Sequence, residues 1–410
     1  MRGLWLLLLF PQVLLADYWR PPLFEYEEVF PARAAYALNS SALYASSLVK
    51  QAVYVSMTTI SSRIDRVHKT ILSIFQGLVI PDRLFLFISR KPFLLDGGIA
   101  DERSIPEALR ALVLEQRFPV TLVYTNNIGS HRKLLPLLAQ KWHEDCLIAT
   151  FDDEPKDDGK IQQYLSQLIK YYLASNRTSV VSLKARRMGM CRGSPWNIRN
   201  YGYWGGVGAG KNEIFLLPTG TGSVLYRPKF FHRIIFDPIL RNLTFTADDL
   251  MFRLSTLANR VKVVTGCRDN FQRNKTTGLQ VVARCPPQAD ITVFPSSRVD
   301  IKRYPSQADM NVFPTSKLDR RRLLGGSLAQ LNLHKRGNDY AWRNATAYLL
   351  EKGVLNLTAL SIELMPWDRG PACDSSTWDL LPLRHRKDPE GRELQRQRKE
   401  CALSNCNLKK

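Results

Sequence analysis

Leu147-Ile148-Ala149-Thr150-Phe151-Asp152-Asp153-Glu154 runs from an apolar stretch directly into three consecutive carboxylates. Five apolar or β-compatible residues bounded by charge read as a buried strand. Neighbouring carboxylates repel one another, so their place at the end of such a strand calls for a cation or full solvation. Hard divalent ions such as Mg²⁺ or Mn²⁺ take carboxylate oxygens and bridge to diphosphates. The competing reading is a solvated acidic turn, because Asp157 and Asp158 follow at once and Lys156 and Lys160 offset the charge.

Outward from this stretch the pattern repeats. Toward the N-terminus, Val53 to Ser56, Leu84 to Ile88 and Val120 to Tyr124 read as strands, and Val180 to Leu183 is a further strand on the C-terminal side. Between them, Ile64, Val67, Ile71, Ile74 and Phe75 mark one helix face. Ile105 to Leu114, His131 to Trp142 and Ile161 to Leu173 supply three more helical stretches. Strand and helix alternate about every 30 residues, which predicts an α/β fold with a mostly parallel sheet and right-handed crossovers. In such sheets ligands bind beyond the C-terminal ends of the strands.

The chain has 410 residues, 45% of them apolar, enough for a sizeable core. Its formal charge of +21 suggests an anionic partner. No nucleic-acid-binding motif appears, and the basic residues are dispersed except in the tail, so nucleic acid is not the expected partner. Arg2 followed by an apolar run from Leu4 to Ala16 has the layout of a secretory signal peptide, with a short membrane anchor as the alternative. Six N-x-[ST] sequons, at Asn39, Asn176, Asn242, Asn274, Asn344 and Asn356, agree with a secretory-lumen (Golgi or ER) or secreted location. Seven cysteines without C-x-x-C spacing point to disulfides rather than structural zinc, and Cys267 with Cys285 is a candidate local bridge.

The expected organisation is a targeting segment over residues 1–16, a lead-in over 17–51, one α/β domain over 52–360 and a basic, Cys-containing tail over 361–410. Within the domain, residues 286–320 hold a duplication. Gln288-Ala289-Asp290 and Val293-Phe294-Pro295 recur 19 residues later, as Gln307-Ala308-Asp309 and Val312-Phe313-Pro314. Two copies are too few for a solenoid.

Four further stretches carry candidate chemistry. Lys133 offers a point charge suited to a diphosphate, unless His131, Arg132 and Lys133 form a solvated face. Pro218-Thr219-Gly220-Thr221-Gly222-Ser223 reads as a glycine turn before a strand; Gly220 and Gly222 would admit close backbone approach to a sugar, or belong to an ordinary hairpin. Asp248 and Asp249 open a helical stretch, where Asp249, or Asp248, is a candidate general base, or either caps the helix. Gly205 to Lys211 fails the phosphate-loop spacing.

Taken together, these stretches resemble the GT-A nucleotide-diphospho-sugar glycosyltransferases. The likeness runs from about residue 52 to 355 through Val55-Ser56-Met57-Thr58-Thr59-Ile60 with Arg63, Gly129 to Pro136, Thr150 to Glu154, Pro218 to Tyr226, and Thr246 to Phe252. It implies a Rossmann-like sheet flanked by helices, whose fourth strand ends in a D-x-D motif. It also implies a nucleoside diphosphate-sugar held by Thr58, Arg63, Lys133, Asp152, Asp153, Gly220 and Gly222, and a Mn²⁺ or Mg²⁺ ion on Asp152, Asp153 and Glu154. His334 is a candidate further ligand of that ion, or a structural histidine. The sugar would pass to a glycan, glycoprotein or lipid acceptor. Glu154 departs from the pattern, which places a third Asp there, and so leaves open a catalytically inactive relative that binds carbohydrate or polyanion.

Overall fold

A computed structural model describes residues 19–30, 43–114, 118–153, 161–191, 194–198, 201–267, 271–273, 280–282 and 337–355. Its centre is a nine-stranded sheet. In chain order the strands are β1 (Glu27–Phe30), β2 (Val53–Thr58), β3 (Arg83–Ile88), β4 (Val120–Tyr124), β5 (Leu147–Phe151), β6 (Val180–Ser182), β7 (Asn212–Glu213), β8 (Val224–Tyr226) and β9 (Val263–Thr265). Across the sheet they lie in the order β1-β4-β3-β2-β5-β8-β6-β9-β7.

Strands β4, β3, β2 and β5 pair in parallel, as do β6 and β9. Every residue of β4 and β5 is buried, which is why these strands read as unbroken apolar runs and not as alternations. The expected α/β fold with its parallel sheet is therefore present in part, and the sheet as a whole is mixed. β8 runs antiparallel between β5 and β6, and β1 and β7 close the edges antiparallel to β4 and β9.

The main helices are α1 (Ile64–Phe75), α2 (Glu107–Leu114), α3 (Leu135–Gln140), α4 (Ile161–Ala174), α5 (Asp248–Ala258) and α6 (Gly337–Glu351). α1 buries Ile64, Val67, Thr70, Ile71, Ile74 and Phe75, the face that the 3.6-residue spacing marks. It packs against α2 and α4.

Two expectations are corrected. The stretch from His131 to Trp142 is not one helix. A 3-10 turn, Gly129–Lys133, precedes the shorter α3, whose first turn holds Pro136. His131, Arg132 and Lys133 are all buried within that turn, so they form no solvated face. The lead-in is also not separate from the domain. Its residues Glu27–Phe30 form edge strand β1, and Trp19 meets the Trp142 ring at 5.3 Å.

Cys146 is free and buried, whereas Cys267 is in a disulfide; Cys285 lies outside the described residues. So do the targeting segment, the duplicated stretch 286–320 and the tail 361–410. Asn176, Asn242 and Asn344 are exposed. Among the described residues no helix is long and apolar enough to cross a membrane.

Candidate functional site

From β2 the chain builds β3 and β4 outward on one side, then crosses back to lay β5 on the other side of β2. The order of strands reverses between β2 and β5, and a crevice opens beyond their C-terminal ends at such a point. Thr58 and Thr59 end one strand there, and Asp152 and Asp153 follow the other.

The two aspartates part ways. Asp153 turns inward and is 4% exposed. It accepts a hydrogen bond from Thr59 Oγ1 at 2.6 Å and an ion pair from Arg63 Nε at 3.0 Å. Its carbonyl accepts Thr70 Oγ1 at 3.0 Å, which fixes the strand end to α1. Asp152 stays in the crevice with its side chain 32% exposed.

Lys133 closes the 3-10 turn, and Ser56 Oγ donates to its carbonyl at 2.5 Å. Its ammonium meets Asp248 Oδ2 at 2.7 Å, Asp152 Oδ1 at 3.6 Å and Asp249 Oδ1 at 3.7 Å. Two remote segments of chain, the end of β5 and the first turn of α5, therefore converge on one buried cation. Asp248 also accepts Ser130 Oγ at 2.9 Å. Asp249 accepts the Gly220 N–H with both oxygens, at 3.1 and 3.0 Å. Neither aspartate caps its own helix, since the N-cap of α5 is Ala247 and no side chain caps it.

Gly220 is required by space. A Cβ there would lie 2.4 Å from Lys133 Nζ, 3.2 Å from Asp249 Oδ1 and 3.4 Å from Asp152 Oδ1. At Gly222 a Cβ would meet Lys184 Cβ at 2.4 Å, so this glycine too is needed for close packing. Thr58 is likewise spent on structure: its hydroxyl donates to Phe87 O at 2.8 Å and accepts Arg132 Nε at 3.1 Å.

The electrostatics separate the two helix-opening acids. Burial pushes Asp249 up to about 7, the charges of Asp248 and Asp152 add to that push, and Lys133 and the Gly220 N–H oppose it. Burial raises Asp248 too, but the Lys133 charge and hydrogen bond, with the Ser130 hydroxyl, outweigh it and hold that carboxyl below the usual range. Burial weakens the Lys133 ammonium, yet Asp248, Asp249 and Asp152 together hold its pKa well above the ordinary value. His131 is fully enclosed, and burial drops it to about 4, so it is neutral.

Of the expected metal set, only Asp152 and Asp153 fall among the described residues. Asp153 is committed to Arg63 and Thr59, and Glu154 and His334 lie outside the described residues. Among the described residues no group of three or more His, Cys, Asp or Glu is arranged to hold a metal ion. Asp152 does fit one. Among the described residues the crevice gathers the carboxylates of Asp152, Asp153, Asp248 and Asp249, which ion-pair with Lys133 and Arg63, and Asp152 keeps its side chain 32% exposed. An ion of the Mg²⁺ type needs only one or two carboxylates when phosphates supply the rest.

The residues that sequence reasoning missed are Thr59, Asp96, Ser130 and Arg132. Asp96 precedes Gly97-Gly98, a turn signal, but nothing in the sequence links it to Arg132, whose Nη2 it accepts at 2.8 Å. No protein-family model matches the chain, and no curated protein matches it.

Proposed function

We propose that the protein is a GT-A-type glycosyltransferase that moves a sugar from a nucleoside diphosphate-sugar to a hydroxyl of a glycan, glycoprotein or lipid. One observation carries the reading: strand-end Asp152 and helix-opening Asp249 face one crevice at the point where the strand order reverses. A carboxylate with a pKa of about 7 suits a general base at neutral pH. Asp249 takes the proton of the acceptor hydroxyl. The acceptor oxygen then bonds to the anomeric carbon as the bond from that carbon to the diphosphate breaks, and the nucleoside diphosphate leaves with inversion.

Asp152 is the described residue that would hold Mn²⁺ or Mg²⁺, and such an ion supplies the positive charge that an anionic crevice needs before it admits a diphosphate. Arg63 adds a cation at the same strand ends. The secretory pathway is the proposed location, supported by the exposed sequon asparagines and the disulfide at Cys267.

The commitment of Asp153 to Arg63 favours a second reading, an inactive protein that binds carbohydrate or polyanion. A panel of nucleotide-sugars incubated with Mn²⁺, Mg²⁺ or EDTA decides between the two. The transferase reading expects hydrolysis or metal-dependent binding of one donor, lost in EDTA and in Asp152→Ala. Neither turnover nor metal-dependent binding across the panel would sink it in favour of the second.

A further inference from the structure

The resemblance assigns Lys133 to the donor's phosphates, but its surroundings do not suit that task. Lys133 is 6% exposed, and its ammonium lies among Asp152, Asp248 and Asp249. All three of its carboxylate neighbours belong to other segments: Asp152 to the end of β5, Asp248 and Asp249 to the first turn of α5. The Gly220 backbone covers it so closely that even a methyl group there would lie 2.4 Å from Nζ. These groups hold the positions nearest Nζ, where a phosphate oxygen would have to bind.

We infer that Lys133 is a positioning residue: it is the internal counter-ion around which Asp152, Asp248 and Asp249 are assembled, and it acts on the reaction through them without touching the donor. This rests on the transferase reading only for the kinetic part of its test. The physical basis is mutual repulsion. Three carboxylates from two remote elements do not crowd together without a cation between them, and a lysine fixed through its own carbonyl to Ser56 is always present, whatever is bound. The closest pair, Lys133 with Asp248, leaves Asp152 and Asp249 at nearly equal and longer distances, where both keep an open side toward the crevice.

The test compares wild type with Lys133→Met and Lys133→Arg. For Lys133→Met, kcat is expected to fall about 100-fold, the scale that a misplacement of about 1 Å produces. The donor KM should stay within about threefold, and Lys133→Arg should recover part of kcat, because the interaction removed is made to carboxylates and not to ground-state donor. A donor KM raised about tenfold or more, with kcat held, in either variant would mean that Lys133 touches phosphate and would overturn the inference.

The second arm needs no turnover. Removing the ammonium leaves three carboxylates facing one point, so Lys133→Met should bind Mn²⁺ about tenfold tighter than wild type in a direct titration without nucleotide. Equal affinity would show that the ammonium is not at the centre of the cluster. If Lys133→Met does not fold, the kinetic split in Lys133→Arg still decides the matter. Wild-type protein that turns over no donor counts against the transferase, while the Mn²⁺ comparison continues to judge Lys133.

Discussion

Arg132 and Lys133 are neighbours in one 3-10 turn, each gathers loops from the ends of several strands, and they do so to opposite effect. Arg132 is sealed: its side chain is 1% exposed, and that of Asp96, its partner, 3%. It joins the loop after β2, through Thr58 and the Thr59 carbonyl, to the loop after β3 that carries Asp96. Asp96 in turn accepts from the Ser61 and Gly98 N–H groups and from Asn127. Lys133 looks the other way. Two of its three carboxylate partners keep about a third of their side-chain surface open. Equal numbers of charges would have made a second staple there. The excess of acid over base leaves groups whose charge is not yet satisfied, and those can do chemistry.

Breaking the open side should have the largest effect. Asp249→Asn is expected to lower kcat by about 10²–10⁴ with little change in donor KM, the range that loss of a positioned base produces. Steady-state kinetics on the identified donor check this, and an unchanged kcat would remove Asp249 from the reaction. The wild-type pH profile should carry the same signature. With Asp249 raised to about 7, kcat/KM climbs up to that pH and levels above it. The sign for stability is the reverse. The folded carboxyl holds its proton over a range where the unfolded one, at the model-compound value of 3.8, has lost it, so this group's contribution declines as pH rises from about 4 to about 7.

On the sealed side the loss should appear as stability. Arg132→Met strands Asp96 without its cation and is expected to cost about 3–5 kcal/mol in urea unfolding, as breaking one half of a buried pair does. A midpoint within error of wild type would mean that the loops are held by other means. The smallest effect sharpens the contrast. Gly220→Ala presses on the Lys133 ammonium and must shift it among its carboxylates, so activity should drop about tenfold while the melting temperature falls less than in Arg132→Met. Equal losses of both would place Gly220 with the staple and not with the site.

Much of this was legible in the sequence, for identifiable reasons. β4 and β5 lie where their apolar runs stand, and α1 buries the predicted face, because period and burial are local properties. The acidic pair at the start of α5 and the glycine turn before β8 were legible from composition and spacing. The burial of Arg132 and Lys133 was not, since their partners are remote in sequence and a basic tripeptide ordinarily reads as surface. Nor was the direction of β8, whose three residues carry no mark of which way they run. The divergence of Asp152 and Asp153 depends on Thr59 and Arg63, which a strand-end pattern cannot weigh.

The antiparallel strand β8 also bears on how the chain is made. It pairs with β5 on one side and β6 on the other, both synthesised earlier. Until Tyr226 has left the ribosome, the facing edges of β5 and β6 stay unfinished, rows of N–H and C=O groups open to any extended peptide nearby. Such edges make emerging chains prone to association and slow to close, because the final partner is distant along the polypeptide. Translation thus sets the order in which the crevice is built: its floor at β2 and β5 comes first, then the glycine roof at Gly220, and last the acid at Asp249.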